Sequence, residues 1–313
     1  MHDRKFRFGV MCSHADSATD FREKARKAEA LGYSTLFVPD LFVDHPLAPM
    51  PAMATAAAVT DTLRIGSLVL GNDYKHPVVL AREAATLDLL SDGRLELGLG
   101  AGWMTADYDK AGLDLDRPGV RIDRLEESVT VLKGLMGDDP FTFHGKHYTV
   151  TDLDGQPKPV QRPHPPFIIG GGGPKILALA VRDAAIVGIN ANLRRGVAIS
   201  DDAARSMTGS ATDEKLARLR AAGGERFDEI EIQSFVGFTN FTDDRQALAE
   251  MMAGAFGVAP EEALETPVVL AGTLEQMIDD VQARRERWEM SYVVVGVDVM
   301  EQFAPAVARL AGT

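Results

Sequence analysis

The chain has 313 residues, 45% of them hydrophobic and 25% charged, which suffices for a large core at a length usual for one (β/α)8 barrel with modest insertions. Its net charge of −13 offers no basic face to release counterions from nucleic acid or an anionic membrane, so neither is an expected partner. No apolar run is long enough for a signal peptide or a bilayer span, so a cytoplasmic address is expected; the single cysteine, Cys12, excludes an internal disulfide and a thiolate metal site.

Phe6 to Met11 reads as a first strand. The next helix is opened by Asp20 with Glu23 three residues on, faced inward by Phe21, Ala25, Ala28 and Leu31, and closed by Gly32. Thr35 to Val38 is a second strand ending at Pro39-Asp40, and Pro51 to Thr60 is an alanine-rich helix. From Leu63 to Trp103 the pattern runs strand, polar loop, helix, tight turn and strand without a break. Ile65, Leu68, Val69 and Leu70 form a buried-strand run that Gly71-Asn72-Asp73 stops. His76-Pro77 pre-sets a helix whose Leu80, Ala84, Leu87 and Leu90 share one side, Ser91-Asp92-Gly93 ends it, and Leu95, Leu97 and Leu99 carry the next strand. Such a crossover needs parallel strands, buried on both faces.

After Trp103 a polar connection leads to a helix with Ile122, Leu125, Val129, Leu132 and Met136 on one face. Residues 138–166 have no helical period and read as a hairpin-like insertion. Phe167 to Ile169 is a fifth strand, ending in four glycines before Pro174 opens a helix. Ala185 to Ile189 is a sixth strand. Residues from Arg194 to about 228 form a second insertion, read as loop-rich with one short helix. Ile230 to Phe238 is a seventh strand and Asp244 to Phe256 a helix. Thr273 with Gln276 caps another helix through Trp288, and Tyr292 to Val297 is an eighth strand. Eight strands alternating with helices is the count of a closed (β/α)8 TIM barrel, here a single domain with two insertions.

In such a barrel the reacting groups lie at the C-terminal ends of strands. The candidates are Cys12 to His14, Asp40, Leu68 to Asn72, Ala101 to Trp103, Gly170 to Gly173, Asn190, Asn192, Phe238 to Asn240 and Asp298. Backbone amides of Gly170, Gly171, Gly172 and Gly173, placed just before a helix, make an anion cradle that suits a phosphate, with Lys175 adding positive charge. The alternative is a tight turn in which glycine only supplies unusual φ angles. Gly98, Gly100 and Gly102 do not make a dinucleotide fingerprint, because Trp103 stands where its last glycine belongs. His144 and His147 lack a partner at metal-ligand spacing, so no metal site is expected. Asp40 reads equally as a polar group facing a bound ring or as a cap for the next turn. His14 and His45 are the histidines near strand ends that could donate protons.

The stretches FVPD at 37–40, IGSLVL followed by His76-Pro77, ATLDLLSDGRLELGLGAGW and PHPPFIIGGGGPK resemble the luciferase-like monooxygenase superfamily, in particular its branch dependent on the deazaflavin coenzyme F420. The resemblance covers most of the chain and implies a bacterial luciferase-like (β/α)8 barrel, usually a homodimer. It also implies an isoalloxazine-type ring over the strand ends, here near Asp40, Leu68, Val69, Asn72 and Trp103. The phosphate would sit at the loop after strand five. A non-proline cis peptide is implied in a bulge after strand three, matching Leu68-Val69. The family's alcohol and sugar-phosphate dehydrogenases carry a histidine after the strand-two aspartate and a glutamate after strand four. Leu41 and Trp103 occupy those places here, so the general acid and base of alcohol oxidation are not carried over. The expected reaction is hydride transfer from reduced F420 to an activated C=C or C=N bond of a small molecule, in a pocket shaped by Trp103, Phe238 and Phe42. Two other readings are open. One is an FMN-dependent monooxygenase that uses O2 and a partner reductase supplying reduced flavin. The other is a flavin-binding protein without catalysis.

Overall fold

Eight parallel strands alternate with helices along the chain: β1 (Arg7–Met11), α1 (Ala18–Ala30), β2 (Thr35–Val38), α2 (Pro49–Val59), β3 (Arg64–Ser67), α3 (Pro77–Leu90), β4 (Leu95–Gly100), α4 (Pro118–Met136), β5 (Phe167–Gly171), α5 (Pro174–Asp183), β6 (Ile186–Ile189), α6 (Gly209–Gly223), β7 (Glu231–Phe235), α7 (Leu274–Trp288), β8 (Met290–Gly296) and α8 (Met300–Leu310). The structure is a computed structural model that describes residues 4–193, 196 and 200–313. The architecture is the (β/α)8 barrel that the sequence pattern predicts. By internal contacts the chain divides into two units.

The first unit holds residues 1–11, 30–34 and 170–313. In it β8 lies between β1 and β7, with Arg7 opposite Tyr292 and Gln233 opposite the same tyrosine, and β6 flanks β7. At the strand starts Arg7 donates to both carboxylate oxygens of Glu231, from Nε at 2.8 and 3.0 Å and from Nη2 at 2.5 Å, and its guanidinium lies 3.7 Å over the Tyr292 ring. Thr273 and Gln276 cap α7 reciprocally, as read from the sequence. The seventh strand stops at Phe235 rather than Phe238. Phe238–Phe241 pairs instead with Val269–Gly272 in a separate two-stranded sheet. The helices Arg245–Phe256 and Pro260–Leu264 give that sheet a small core of Leu248, Met252, Ala253, Ala263, Val269 and Ala271. The region expected to be loop-rich is largely helical, with Asp201–Arg205 followed by the 15-residue α6. Its helices are capped by the Ser200 and Thr208 hydroxyls. Residues 194, 195 and 197–199 of that insertion lie outside the described residues.

The second unit holds residues 12–29 and 35–169. In it β2 pairs with β3, β3 with β4, and β4 with β5. The cap of α1 is Ser17, three residues earlier than expected: its hydroxyl accepts the Asp20 N–H, and Asp20 accepts the Asp16 N–H. The polar connection after Trp103 contains a short helix, Thr105–Ala111, that its mixed pattern had hidden. The first insertion is the antiparallel hairpin expected, Phe141–His144 against Thr149–Leu153.

The third strand is interrupted where the apolar run looked continuous. Gly66 faces Glu96 and Leu70 faces Leu99, so Ser67, Leu68 and Val69 oppose only Leu97 and Gly98. That is a bulge of one extra residue. Ser67 repairs the ladder there by donating its hydroxyl to the Gly98 carbonyl and accepting the Gly98 N–H. The Leu68-Val69 peptide is cis. A Cβ on Gly98 would stand 1.9 Å from the Ser67 carbonyl oxygen, and one on Gly100 would stand 2.6 Å from Val69 Cγ2. The glycines of β4 therefore serve the bulge by leaving room for it.

Gly98→Ala should destabilise the fold by about 3 kcal/mol or more, since backbone and not a flexible side chain must give way. Gly254→Ala, in an exposed helical position with open space around the added carbon, should instead stabilise by about 0.5–1 kcal/mol. Denaturant unfolding of both variants checks the pair; a Gly98→Ala midpoint equal to that of the parent would contradict the packing account.

Candidate functional site

The second unit gathers the segments that follow β1 to β4. Cys12, just past β1, is buried; its N–H bonds the Phe37 carbonyl and its Sγ reaches the His14 carbonyl at 3.4 Å. His14 Nδ1 lies 3.4 Å from the Ser13 hydroxyl, and its carbonyl also accepts from Lys24. Past β2, Asp40 accepts the Gly71 N–H at 3.1 Å. This bond ties the end of β2 to the chain just beyond the bulge. Burial pushes the Asp40 carboxyl above its ordinary range and the nearby Asp107 charge adds to that, against the Gly71 bond and Lys75.

The residue sequence reasoning missed is Asp107. Fully buried in the Thr105–Ala111 helix, it accepts the N–H groups of Phe42 and Val43 at 3.1 and 2.9 Å and the Tyr74 hydroxyl at 3.3 Å. One carboxylate thus holds the loop after β2 and the turn after the bulge against the segment after β4. Phe42 stacks at a tilt on Tyr74, ring centres 4.5 Å apart, yet remains half exposed. Burial raises the Tyr74 and Tyr108 hydroxyls far above the usual phenol range, with Asp107 and Asp73 respectively reinforcing the effect. Both are neutral hydrogen-bond donors.

Asn72 and Asp73 sit in a short 3-10 turn after the bulge. Asn72 is 3% exposed; its Nδ2 donates to the Tyr148 hydroxyl at 3.3 Å, whereas its Oδ1 is buried without a partner. Tyr148 comes from the hairpin insertion, whose turn is fixed by Glu127 accepting the N–H groups of Lys146, His147 and Tyr148. Asp73 receives Tyr108 at 2.8 Å and Arg124 at 2.7 Å. Buried Arg121 donates to the carbonyls of Ala101 and Gly102 and so holds the turn that carries half-buried Trp103. His45 is half buried, and its Nδ1 is sealed from water with no hydrogen-bond partner. Leu68, Val69, Asp40, Asn72 and Trp103, all expected near one ring, therefore share this one unit.

The remaining expected residues are in the first unit. Gly170 and Gly171 end β5, and Gly173 precedes α5, whose second residue is Lys175. Nothing lies within 4 Å of where a Gly173 Cβ would stand, whereas a Gly172 Cβ would meet the Ala191 carbonyl carbon at 2.4 Å and the Asn190 oxygen at 2.6 Å. None of the four has a positive φ, so the turn needs glycine for close approach and not for left-handed backbone. Phe238 lies in the separate sheet and is 41% exposed, which removes it from the end of β7 where it was expected. Among the described residues no group of three or more His, Cys, Asp or Glu side chains could hold a metal ion, and no helix is long and apolar enough to cross a membrane.

Asp107 could have been suspected only from its place after Trp103, since its three partners are 33 to 65 residues away in sequence. Asp107→Ala leaves two N–H groups and a hydroxyl unmatched, an expected loss of about 3 kcal/mol. Hydrogen exchange should accelerate selectively at Phe42 and Val43; uniform exchange across the variant would show that the carboxylate does not pin the loop.

Residues 5–289 match the family model described as luciferase-like monooxygenase. The FMNH2-dependent dimethylsulfone monooxygenase of Pseudomonas putida is 28% identical over 199 residues, 63% of this chain and 51% of that protein. The chain spans about half to two thirds of the curated relatives it matches. In fold it is similar to the coenzyme F420 dependent tetrahydromethanopterin reductase of Methanopyrus kandleri, with a TM-score of 0.79, 19% identity and coverage of 98% and 99% of the two chains. It is also similar to the EDTA monooxygenase of Chelativorans, with a TM-score of 0.74, 14% identity and coverage of 99% and 95%. The family match spans nearly the whole chain, and the strand-end bulge with its glycine bed lies inside it: the protein belongs to the luciferase-like monooxygenase family.

Proposed function

We propose that this member of the family is an oxidoreductase that works with reduced coenzyme F420 and transfers hydride to an activated C=C or C=N bond of a small organic substrate. The observation that carries the reading is the bulge of Leu68 and Val69 seated on Gly98 and Gly100, beside a buried Asn72. It supplies a backbone-rich, apolar surface at the strand ends with one unused acceptor, Asn72 Oδ1, for a ring N–H. The residues fit a planar heterocycle of this kind, with Asp40, Leu68, Val69, Asn72 and Trp103 holding the ring. Within its own unit the Gly170–Gly173 turn, with Lys175 in the first turn of α5, suits a phosphate, because Gly173 has open space and the helix N-terminus offers amides. When bound, reduced deazaflavin supplies a hydride and does not activate oxygen usefully.

The chain's own residues position and protonate. Asp40 braces Gly71, and with it the bulge; Asp107 fixes the loop bearing Phe42 and Val43, and Arg121 the turn bearing Trp103. His45, with an unpaired buried Nδ1, is the group assigned to proton delivery once the acceptor bond has been reduced. Leu41 and Trp103 leave no base for a substrate hydroxyl, which favours reduction over alcohol oxidation. Fold likeness across almost the full chain to the F420-dependent reductase supports the deazaflavin; the relative dependent on FMNH2 supports the monooxygenase alternative.

Titration with F420 and with FMN, followed by anaerobic turnover of reduced F420 with α,β-unsaturated carbonyl and imine acceptors, separates the readings. Micromolar F420 binding and oxygen-independent oxidation of the reduced form are expected. Oxygen uptake with reduced FMN and none with reduced F420 would establish the monooxygenase instead, and tight binding without turnover a carrier. In the active enzyme His45→Gln should lower kcat by about a hundredfold with cofactor affinity unchanged. An unchanged kcat would remove His45 from proton delivery.

A further inference from the structure

A buried cation stands behind the glycine turn in the first unit. Lys215, in α6, is 5% exposed. Its ammonium donates to the Asn190 carbonyl at 2.9 Å, to the Ser206 carbonyl and to Met207 Sδ at 3.2 Å. Those three acceptors use all three of its hydrogens, and all are neutral. Its neighbours in sequence are engaged elsewhere: Asp213 with Arg287 and Trp288, and Glu214 with Arg218. No titratable group of another described element is hydrogen-bonded or ion-paired to it. A lysine taken out of water without a carboxylate is unusual, because the charge costs several kcal/mol when nothing compensates it.

Asn190 explains where the charge is directed. It follows β6, its N–H bonds the Gly171 carbonyl at 3.1 Å, and a Cβ on Gly172 would meet the Ala191 carbonyl carbon and oxygen at 2.4 and 2.5 Å and the Asn190 carbonyl oxygen at 2.6 Å. The oxygen that accepts from Lys215 is thus part of the backbone at Asn190-Ala191 against which the glycine turn is packed. Asn192, two residues on, donates its N–H to the Ser206 hydroxyl, and Lys215 holds the Ser206 carbonyl, so one ammonium ties both ends of the segment between β6 and α6 to the turn.

We propose that Lys215 is a positioning residue for the anionic group bound at the Gly170–Gly173 turn: it seats that turn through Asn190 and supplies a positive charge behind it that no acid cancels. This rests on the phosphate reading of the turn given above. Burial brings the Lys215 ammonium down to about 8, so the charge is present at neutral pH and lost progressively above it.

The test isolates the anionic side chain: between FMN and riboflavin it is the phosphate alone, and between F420 and its phosphate-free chromophore the phosphate with the acidic tail it carries. The dissociation constants of riboflavin and FMN, and of F420 and its phosphate-free deazaflavin chromophore, give for each ring a ratio from which ring binding cancels. In the parent protein at pH 7 the phosphate-bearing form should bind at least about tenfold tighter. Lys215→Met should cut that ratio about fivefold or more while leaving the phosphate-free rings within twofold, and Lys215→Arg should restore part of it. In the parent the ratio should fall between pH 7 and 9.5, and in Lys215→Met it should not. A parent ratio near one for both rings, or no binding of either ring, would overturn the phosphate reading itself. A large parent ratio that Lys215→Met leaves intact would overturn the role of Lys215 alone. So would an equal, pH-independent loss of all four affinities in both variants, which is the mark of a merely structural residue.

Discussion

One surplus residue in the third strand governs the second unit. A parallel ladder cannot absorb it in plane, so Leu68 and Val69 rise out of the pleat, and only a partner strand without side chains can lie beneath them. Gly98 and Gly100 meet that requirement, Ser67 replaces the broken ladder bonds with its hydroxyl, and Asp40 receives Gly71 where the pairing resumes. Each of these residues is small or polar in a stretch where a buried parallel strand would ordinarily be aliphatic. The composition of two strands is subordinate to one local irregularity, which is also what presents a bare surface at the strand ends.

Both units handle buried charge by using it to collect backbone groups. Asp107 collects two N–H groups and a phenol; Lys215 collects two carbonyls. Neither is ion-paired among the described residues, and each gathers separate segments at a strand end. A neutral side chain could fill the same volume but would leave the gathered groups unmatched, which is the more costly error in a low-dielectric interior. The Arg7–Glu231 and Arg64–Glu96 pairs at strand starts are different: there each charge meets its opposite.

The barrel was legible because its signals are local. The His76-Pro77 helix start, the Asp92-Gly93 stop and the Thr273–Gln276 cap each depend on residues a few positions apart, and each appears where the pattern placed it. What stayed hidden depends on distant partners or on weak periodicity. The split of β3 looked continuous, since Leu68 and Val69 are as apolar as the strand they interrupt. The helix α6 is rich in small and charged residues and shows no strong apolar face, so its polarity suggested loop. Of the candidate site, the bulge was expected through resemblance and Asn72 from its place at the end of the third strand. The supports Asp107, Arg121 and Tyr148 were not, because a carboxylate, a guanidinium or a phenol carries no sign in sequence of which backbone it will meet.

The difference between scaffold and chemistry is sharpest at Leu41 and Trp103. Both follow strand ends, and both sit on segments held more firmly than an idle loop would need: Phe42 and Val43 by Asp107, Ala101 and Gly102 by Arg121. Rigid support under apolar residues positions a wall and excludes water, which suits transfer of hydride to a polarised double bond better than removal of a hydroxyl proton. The proposed reaction then calls for a proton donor that no fixed hydrogen-bond partner engages. His45, with its unpaired Nδ1 on the loop that Asp107 secures, meets that condition, whereas His14, packed among Ser13, Lys24 and Cys12, is held through its backbone at the end of β1.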